Sequence, residues 1–291
     1  MHDSLLSLLL GIIEGLTEFL PVSSTAHLRI AEALLGIDLG NGYWKMYSIV
    51  IQLGAILCLP IYFRSRITRF LSTFPRGERG DRTAMNHPLT LVMIAFVCTA
   101  IPAFLLTKVI GKHLESLFIM GWSLLIGGIV MWIVDAMFGT PRPGSRFQTE
   151  RMEEMTTPQA IWIGICQIAS AVFPGTSRSM STIAGGQLVG MSRPAALEFS
   201  FFLSMPTMVA ATGYDLLRTL HPKHGAEPLG RMPVSGHEWI VLLIGFVVSF
   251  IVALAVVAWF MNWVRQRGFT PFAIYRIVVG IAVLVWAMRM G

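Results

Sequence analysis

Glu14-Gly15-Leu16-Thr17-Glu18-Phe19-Leu20-Pro21-Val22-Ser23-Ser24-Thr25-Ala26-His27-Leu28 is the stretch on which the reading of this chain turns. It lies inside an apolar segment running from about Ser4 to Leu35, yet it carries two carboxylates, an imidazole and a proline followed by hydroxyl residues. A helix tends to end before proline, and a new one starts readily on Ser or Thr. The same grammar returns in the segment Pro158–Val189, at Pro174-Gly175-Thr176-Ser177-Arg178-Ser179. Both segments read as helix–break–helix hairpins that enter a membrane and return on the same side. Irregular backbone at membrane depth survives only where protein or a watery cavity surrounds it.

Around the two breaks lie six uninterrupted apolar segments, near Met46–Phe63, Pro88–Leu106, Leu117–Phe138, Ala195–Leu217, Trp239–Val264 and Phe272–Met288. Each is close to the ~20 residues a helix needs to cross the hydrocarbon core. The composition agrees: 54% of the 291 residues are hydrophobic and 13% charged, against about a quarter charged in a soluble domain. The predicted fold class is therefore all-α, a polytopic membrane protein of six transmembrane helices plus two re-entrant helical hairpins. The formal net charge of +6 does not point to nucleic acid, because the basic residues sit in short loops where they set membrane orientation. Cys58, Cys98 and Cys166 lie singly in apolar blocks, which argues against a zinc site or disulfide framework. Residues Leu5 to Leu20 hold Glu14 and Glu18 and lead into Pro21, unlike a cleavable signal peptide.

Loop charge gives the orientation. Arg64, Arg66, Arg69, Arg76, Arg79 and Arg82 fall between the first two spans, Arg142, Arg146 and Arg151 between the third and the second hairpin, and Arg265 and Arg267 before the last span. This side is expected to be cytoplasmic, leaving both termini outside, with Lys108, Lys112, Arg218, Lys223 and Arg231 against the trend on the other face. The hairpins also resemble each other: Gly11-Ile12-Ile13-Glu14 aligns with Gly164-Ile165-Cys166-Gln167 at an offset of 153, which brings Pro21 onto Pro174, Ser23 onto Thr176, Ser24 onto Ser177 and Thr25 onto Arg178. One hairpin and three spans in each half make the second half inverted. The reading is a single integral membrane domain of two inverted-topology repeats, about 1–138 and 158–291, joined by a cytoplasmic linker of about 139–157. Such repeats place a binding site near the midplane, where broken helices meet.

Charged side chains at the bilayer centre cost on the order of 2.5–3.5 kcal/mol each on insertion scales, so intramembrane Glu14, Glu18, His27 and Arg178 mark a functional cavity. Glu14 and Glu18 share a helical face and suit a hard cation such as Mg2+ or Ca2+. Ser24 and His27 share the next face, as an activated nucleophile requires. Ser23, Ser24 and Thr25 offer free amides at a helix start, which favour an anion. Arg178, with Thr176, Ser177 and Ser179 at the second break, offers a planar guanidinium for phosphate oxygens. Gln52 can reach the same cavity or pack against a helix. The set suits phosphoryl transfer, in which positioning and charge neutralisation dominate. Other uses of the same residues are a proton or sodium relay for Glu14 and Glu18, simple capping for Ser23, Ser24 and Thr25, a capping or interfacial place for His27, and a structural pairing of Arg178 with a Glu. Glu198 begins a span, where a structural capping or interfacial role fits at least as well as a functional one; Gly186 and Gly190 suit close helix packing, and Arg276 a structural role or a pairing with a buried acid. His221, His224 and His237 lack metal-ligand spacing.

The strings Glu14–Leu28 and Pro174–Ser179 resemble the two signatures of the undecaprenyl-diphosphate phosphatases of the bacitracin-resistance type. The resemblance covers nearly the whole chain and includes Gln52-Leu53-Gly54 and Glu198-Phe199-Ser200-Phe201-Phe202-Leu203. It implies a bacterial inner-membrane enzyme that converts undecaprenyl diphosphate, a polyprenyl lipid, to undecaprenyl phosphate for peptidoglycan synthesis. Catalysis on the periplasmic side and tolerance to bacitracin are implied with it. Carried over by position, Ser24 is the nucleophile with Glu18 and His27 assisting, or the Ser24 and His27 roles exchange, while Glu14 and Arg178 bind ion and phosphate. Met180 departs from the pattern, which usually has glycine after the Arg-Ser pair. A transporter or lipid flippase could use the same inverted-repeat site. A homo-oligomer stays open.

Overall fold

The computed structural model describes residues 2–38, 42–78, 80–106, 116–141, 147–221 and 230–290. Arg79, Lys108, Lys112, Arg142, Arg146, Lys223 and His224 of the sequence reading lie outside the described residues. The described chain is helical: α1 (His2–Thr17), α2 (Ser24–Leu34), α3 (Gly42–Ile56), α4 (Cys58–Tyr62), α5 (Arg64–Thr73), α6 (Pro88–Leu105), α7 (Leu117–Phe138), α8 (Thr157–Val172), α9 (Arg178–Leu188), α10 (Arg193–Leu220), α11 (Gly236–Arg267) and α12 (Thr270–Met290). Six helical stretches have the length and composition to cross a membrane: Gly42–Tyr62, Pro88–Leu105, Leu117–Phe138, Arg193–Leu220, Gly236–Arg267 and Thr270–Arg289. These are the six apolar segments of the sequence, each extended or trimmed by a few residues. The interruption between α3 and α4 has a local cause. Pro60 has no N–H to offer the Ile56 carbonyl, and its ring crowds that carbonyl.

The helices fall into two compact units. The first comprises Met1–Phe19, Ser24–Tyr62 and Ser204–Ala258; the second comprises Leu20–Ser23, Phe63–Leu203 and Trp259–Gly291. In the first unit Leu6, Leu10, Leu28, Tyr47, Ile51 and Val241 form the core. Glycine lets α1 approach α11 closely: a β-carbon on Gly11 would stand 2.9 Å from the Gly245 carbonyl, and one on Gly15 would stand 2.7 Å from Val252 Cβ. Polar side chains between these helices find backbone partners. Ser7 donates to the Val241 carbonyl at 2.6 Å, and Ser249 to that of Ile51 at 2.7 Å. This is how apolar helices tolerate hydroxyls in a membrane interior.

In the second unit α7 lies along α12. A β-carbon on Gly280 would come 2.7 Å from the Leu125 nitrogen, and one on Gly121 would meet Leu284. Gly164 of α8 abuts Ala95 of α6, and Thr99 donates to the Gly164 carbonyl at 2.7 Å. Gly186 likewise packs against Ala196, whereas Gly190 has φ 81° and serves a turn. The outer face of α7 leaves Trp122, Ile126, Ile129 and Ile133 exposed, apolar surface of the kind lipid covers.

Asp135, near the end of α7, is 1% exposed and joins three other helices. It accepts from Arg193 Nε at 2.7 Å, Gln187 Nε2 at 3.0 Å, the Phe269 N–H at 3.0 Å and Thr270 Oγ1 at 3.2 Å. The arginine-rich stretch after Tyr62, read from sequence only as a loop, forms α5. Phe70 is its buried anchor, with its ring 5.5 Å from that of Phe202, and Arg66 lies over Phe70. Arg66 Nε also donates to Glu198 at 2.8 Å, and its Nη1 pairs with Glu153. Glu198 thus ties α10 to α5 through Arg66. Burial alone would raise the Glu153 carboxyl, but hydrogen bonds from Arg66 hold it below the usual range.

Candidate active site

In the first unit two acids stand at the end of α1, Glu14 in its last turn and Glu18 just past Thr17. The Glu18 N–H bonds to the Glu14 carbonyl at 2.9 Å, so the helical turn reaches Glu18 before Pro21 breaks it. Glu14 is fully buried, and among the described residues no donor meets either of its carboxylate oxygens. Glu18 stands close enough to repel its charge. A buried ion left in that state is costly unless a proton or cation joins it. Glu18 has a partner of another kind: the Ser24 hydroxyl donates to its Oε2 at 2.5 Å. Both side chains are buried. The break thus folds back so that the first residue of α2 meets the residue just past the end of α1.

The remaining residues of this region are placed as follows. Ser23 is buried and Thr25 is exposed; His27 is part-buried one turn beyond Ser24 on α2; Gln52 is part-buried on α3. A third acid, Glu32, escaped the sequence reading. It is fully buried at the far end of α2, where Arg29 Nη1 donates to it at 2.9 Å and Ser48 Oγ at 2.8 Å. Its compensated setting contrasts with that of Glu14. The signal was an acid on the apolar segment Ser4–Leu35, one helical turn past Arg29.

The second break is a tight turn that leads into α9. Gly175 has φ 92° and passes close to α7; a β-carbon there would be 2.9 Å from the Met120 carbonyl. Thr176, part-buried, closes a turn onto the Phe173 carbonyl at 3.1 Å. Ser177 caps α9 by accepting from the Met180 N–H at 3.3 Å, and its hydroxyl lies 3.1 Å from that of Ser179. Arg178 opens α9 and donates from Nη1 to the Ser200 carbonyl at 3.2 Å, while Ser200 Oγ meets Thr182 Oγ1 at 2.7 Å.

The two breaks share an uncommon backbone state. Ser23 and Ser177 are the two non-glycine residues with positive φ among the described residues, at 75° and 72°, and each immediately precedes a helix. A side chain in this region costs roughly 1–2 kcal/mol, and such strain gathers at functional sites. The structure corrects the alignment offset here. Ser23 corresponds to Ser177, an offset of 154, because the second break has one more residue between its proline and its helix. Ser24 therefore matches Arg178, not Ser177.

Within the second unit the breaks are tied together. Ser179 Oγ donates to the Leu20 carbonyl at 2.9 Å. Arg276 Nη1 donates to the Pro21 carbonyl at 3.1 Å, and Nη2 donates to Gly175 at 3.2 Å and Ser123 at 3.0 Å. Arg276 is fully buried and holds backbone carbonyls, as a structural role would have it; no carboxylate among the described residues pairs with it. Met180, two residues after Arg178, is buried. Its methyl group packs beside Gly127 of α7, next to the Arg276 guanidinium.

Comparison with known proteins then places the chain. A family model described as bacitracin resistance protein BacA matches residues 7–282. The chain belongs to this family. Among BacA-type relatives, a protein named undecaprenyl-diphosphatase from Koribacter versatilis is 69% identical over 290 residues, covering 99% of this chain and 100% of the relative. Proteins of the same name from Caldanaerobacter subterraneus and Rhizobium etli (strain CIAT 652) are 41% and 40% identical. They align over 95% and 97% of this chain and 93% and 96% of their own lengths. The cation implied by the acid pair meets a limited donor set. No group of three or more His, Cys, Asp or Glu able to hold a metal occurs among the described residues. The unsatisfied Glu14 oxygens beside Glu18 still fit a hard ion whose other oxygen ligands come from water and substrate.

Proposed function

We propose that this chain is an undecaprenyl-diphosphate phosphatase, releasing inorganic phosphate and undecaprenyl phosphate. The observation that carries the reading is the buried hydrogen bond from Ser24 to Glu18, in a chain whose family relatives are named for this hydrolysis. A serine hydroxyl is a weak nucleophile until a base takes its proton. Here the acceptor is in place at 2.5 Å.

In this reading Ser24 Oγ attacks the terminal phosphorus as its proton passes to Glu18. The bond from that phosphorus to the bridging oxygen breaks, and its electron pair leaves with undecaprenyl phosphate. Water then attacks the phosphoserine, the serine oxygen regains a proton, and inorganic phosphate departs. His27, one turn along α2, assists these proton movements. Arg178 takes phosphate charge, with Ser177, Ser179 and Thr176 lining the second break and Ser23, Thr25 and Gln52 the first. Mg2+ or Ca2+ held by Glu14 and Glu18 would supply charge neutralisation on the diphosphate.

The protein is a multi-pass membrane protein, and we place it in the bacterial inner membrane with the site open to the periplasm. Support comes from the arginine-rich stretches around α5 and at the α11–α12 junction, which fit the cytoplasmic face. The matched breaks support two re-entrant hairpins in inverted repeats, recycling the cell-wall lipid carrier. Purified protein in detergent should release phosphate from undecaprenyl diphosphate. Absence of release with folded protein and divalent ion present would overturn the proposal.

A further inference from the structure

Arg276 is a charged residue in the interior of the last span whose guanidinium contacts no carboxylate among the described residues. It is fully buried, its Nε has no hydrogen-bond partner, and its two terminal nitrogens serve three backbone carbonyls. A buried cation without a counter-ion is expensive, so packing alone gives no reason to retain it. Its partners supply the reason. Pro21 and Gly175 belong to the two different breaks, and Ser123 belongs to the helix that Gly175 crosses.

We propose that Arg276 is a positioning residue that clamps both breaks to each other and to α7. Through them it fixes the left-handed serines at which α2 and α9 begin. The space for it is built in. A β-carbon on Gly127 of α7 would overlap the Arg276 guanidinium, and glycine there is what admits the clamp. The inference rests on the phosphatase reading for its catalytic consequence, but the clamp has its own readout. A lysine offers a point charge and cannot span three carbonyls in one plane.

The test compares wild type, Arg276→Lys and Gly127→Ala in detergent by three measurements: thermal midpoint, steady-state phosphate release from undecaprenyl diphosphate, and amide hydrogen exchange. Both variants are expected to speed exchange at residues 22–25 and 175–179 together. At the same time kcat should fall at least tenfold, KM should stay within about threefold, and the thermal midpoint should shift only a few degrees. Gly127→Ala keeps the arginine and displaces it, so it carries the test if the lysine variant does not fold. Exchange that rises at one break alone, or wild-type kcat in the variants, overturns the clamp. Coupled exchange changes with a wild type that releases no phosphate would uphold the clamp and sink the phosphatase reading instead.

Discussion

The Ser24 hydroxyl donates to Glu18 at 2.5 Å, joining the first residue of one helix to the residue just past the end of the helix before it. The left-handed Ser23 between them makes this possible. An extended residue at that position would carry α2 away from α1.

Replacing Glu18 by Gln keeps an oxygen that can accept from Ser24 but removes the base. Fold and substrate binding should persist. Phosphate release should fall by about a hundredfold or more, in the range that general-base catalysis supplies. Steady-state kinetics should show the loss in kcat with KM nearly unchanged. A fall in KM-dependent binding alone would assign Glu18 to substrate capture.

Glu14 has buried oxygens beside Glu18 that no donor among the described residues satisfies. Chelation of divalent ions should abolish activity, and added Mg2+ or Ca2+ should restore it. Glu14→Gln should raise the ion concentration needed for half-maximal rate. Full activity after exhaustive chelation would remove the ion from the account.

Asp135 accepts four hydrogen bonds in the second unit, one of them from Gln187 in the last turn of the helix that begins with Arg178. Asp135→Ala strands the partly buried Arg193 and leaves the Phe269 N–H unpaired. It should destabilise the protein by about 3 kcal/mol, as removal of one partner of a buried pair does. Thermal unfolding in detergent measures it; a midpoint equal to wild type would show that the other contacts suffice.

His87 caps α6 by accepting the Leu89 N–H on Nδ1 at 3.3 Å, with its ring edge-on to Phe70 and Phe74. Burial, and then the charge of Arg82, lower its pKa, so the folded protein keeps the neutral ring that can accept. The unfolded chain takes up its proton first, near pH 6.5. Stability should therefore decline as pH falls through that value toward the folded pKa. His87→Asn retains a capping acceptor without a titrating group and should flatten this part of the midpoint-against-pH curve.

The spans were legible because each is a long apolar run and the membrane allows few ways to satisfy its backbone. The breaks were legible because proline and hydroxyls interrupt those runs. α5 was hidden by its arginines, which read as loop, while its one buried anchor, Phe70, gives no periodic signal. Asp135 sits near the end of a span, where a charge raises no alarm, and its four donors come from three distant helices and the junction before α12. Arg276 was visible as a charge in a span, but its carbonyl partners are backbone atoms that no residue type announces. The one-residue difference between the breaks was likewise invisible, since only backbone dihedrals reveal which serine precedes each helix.

The central claim is that the Ser24 oxygen attacks phosphorus. Phosphate release from undecaprenyl diphosphate by purified Ser24→Ala, matched to wild type in thermal midpoint and divalent ion, tests it most directly. The account predicts release indistinguishable from a protein-free control. Turnover by this variant at a substantial fraction of the wild-type rate would contradict it.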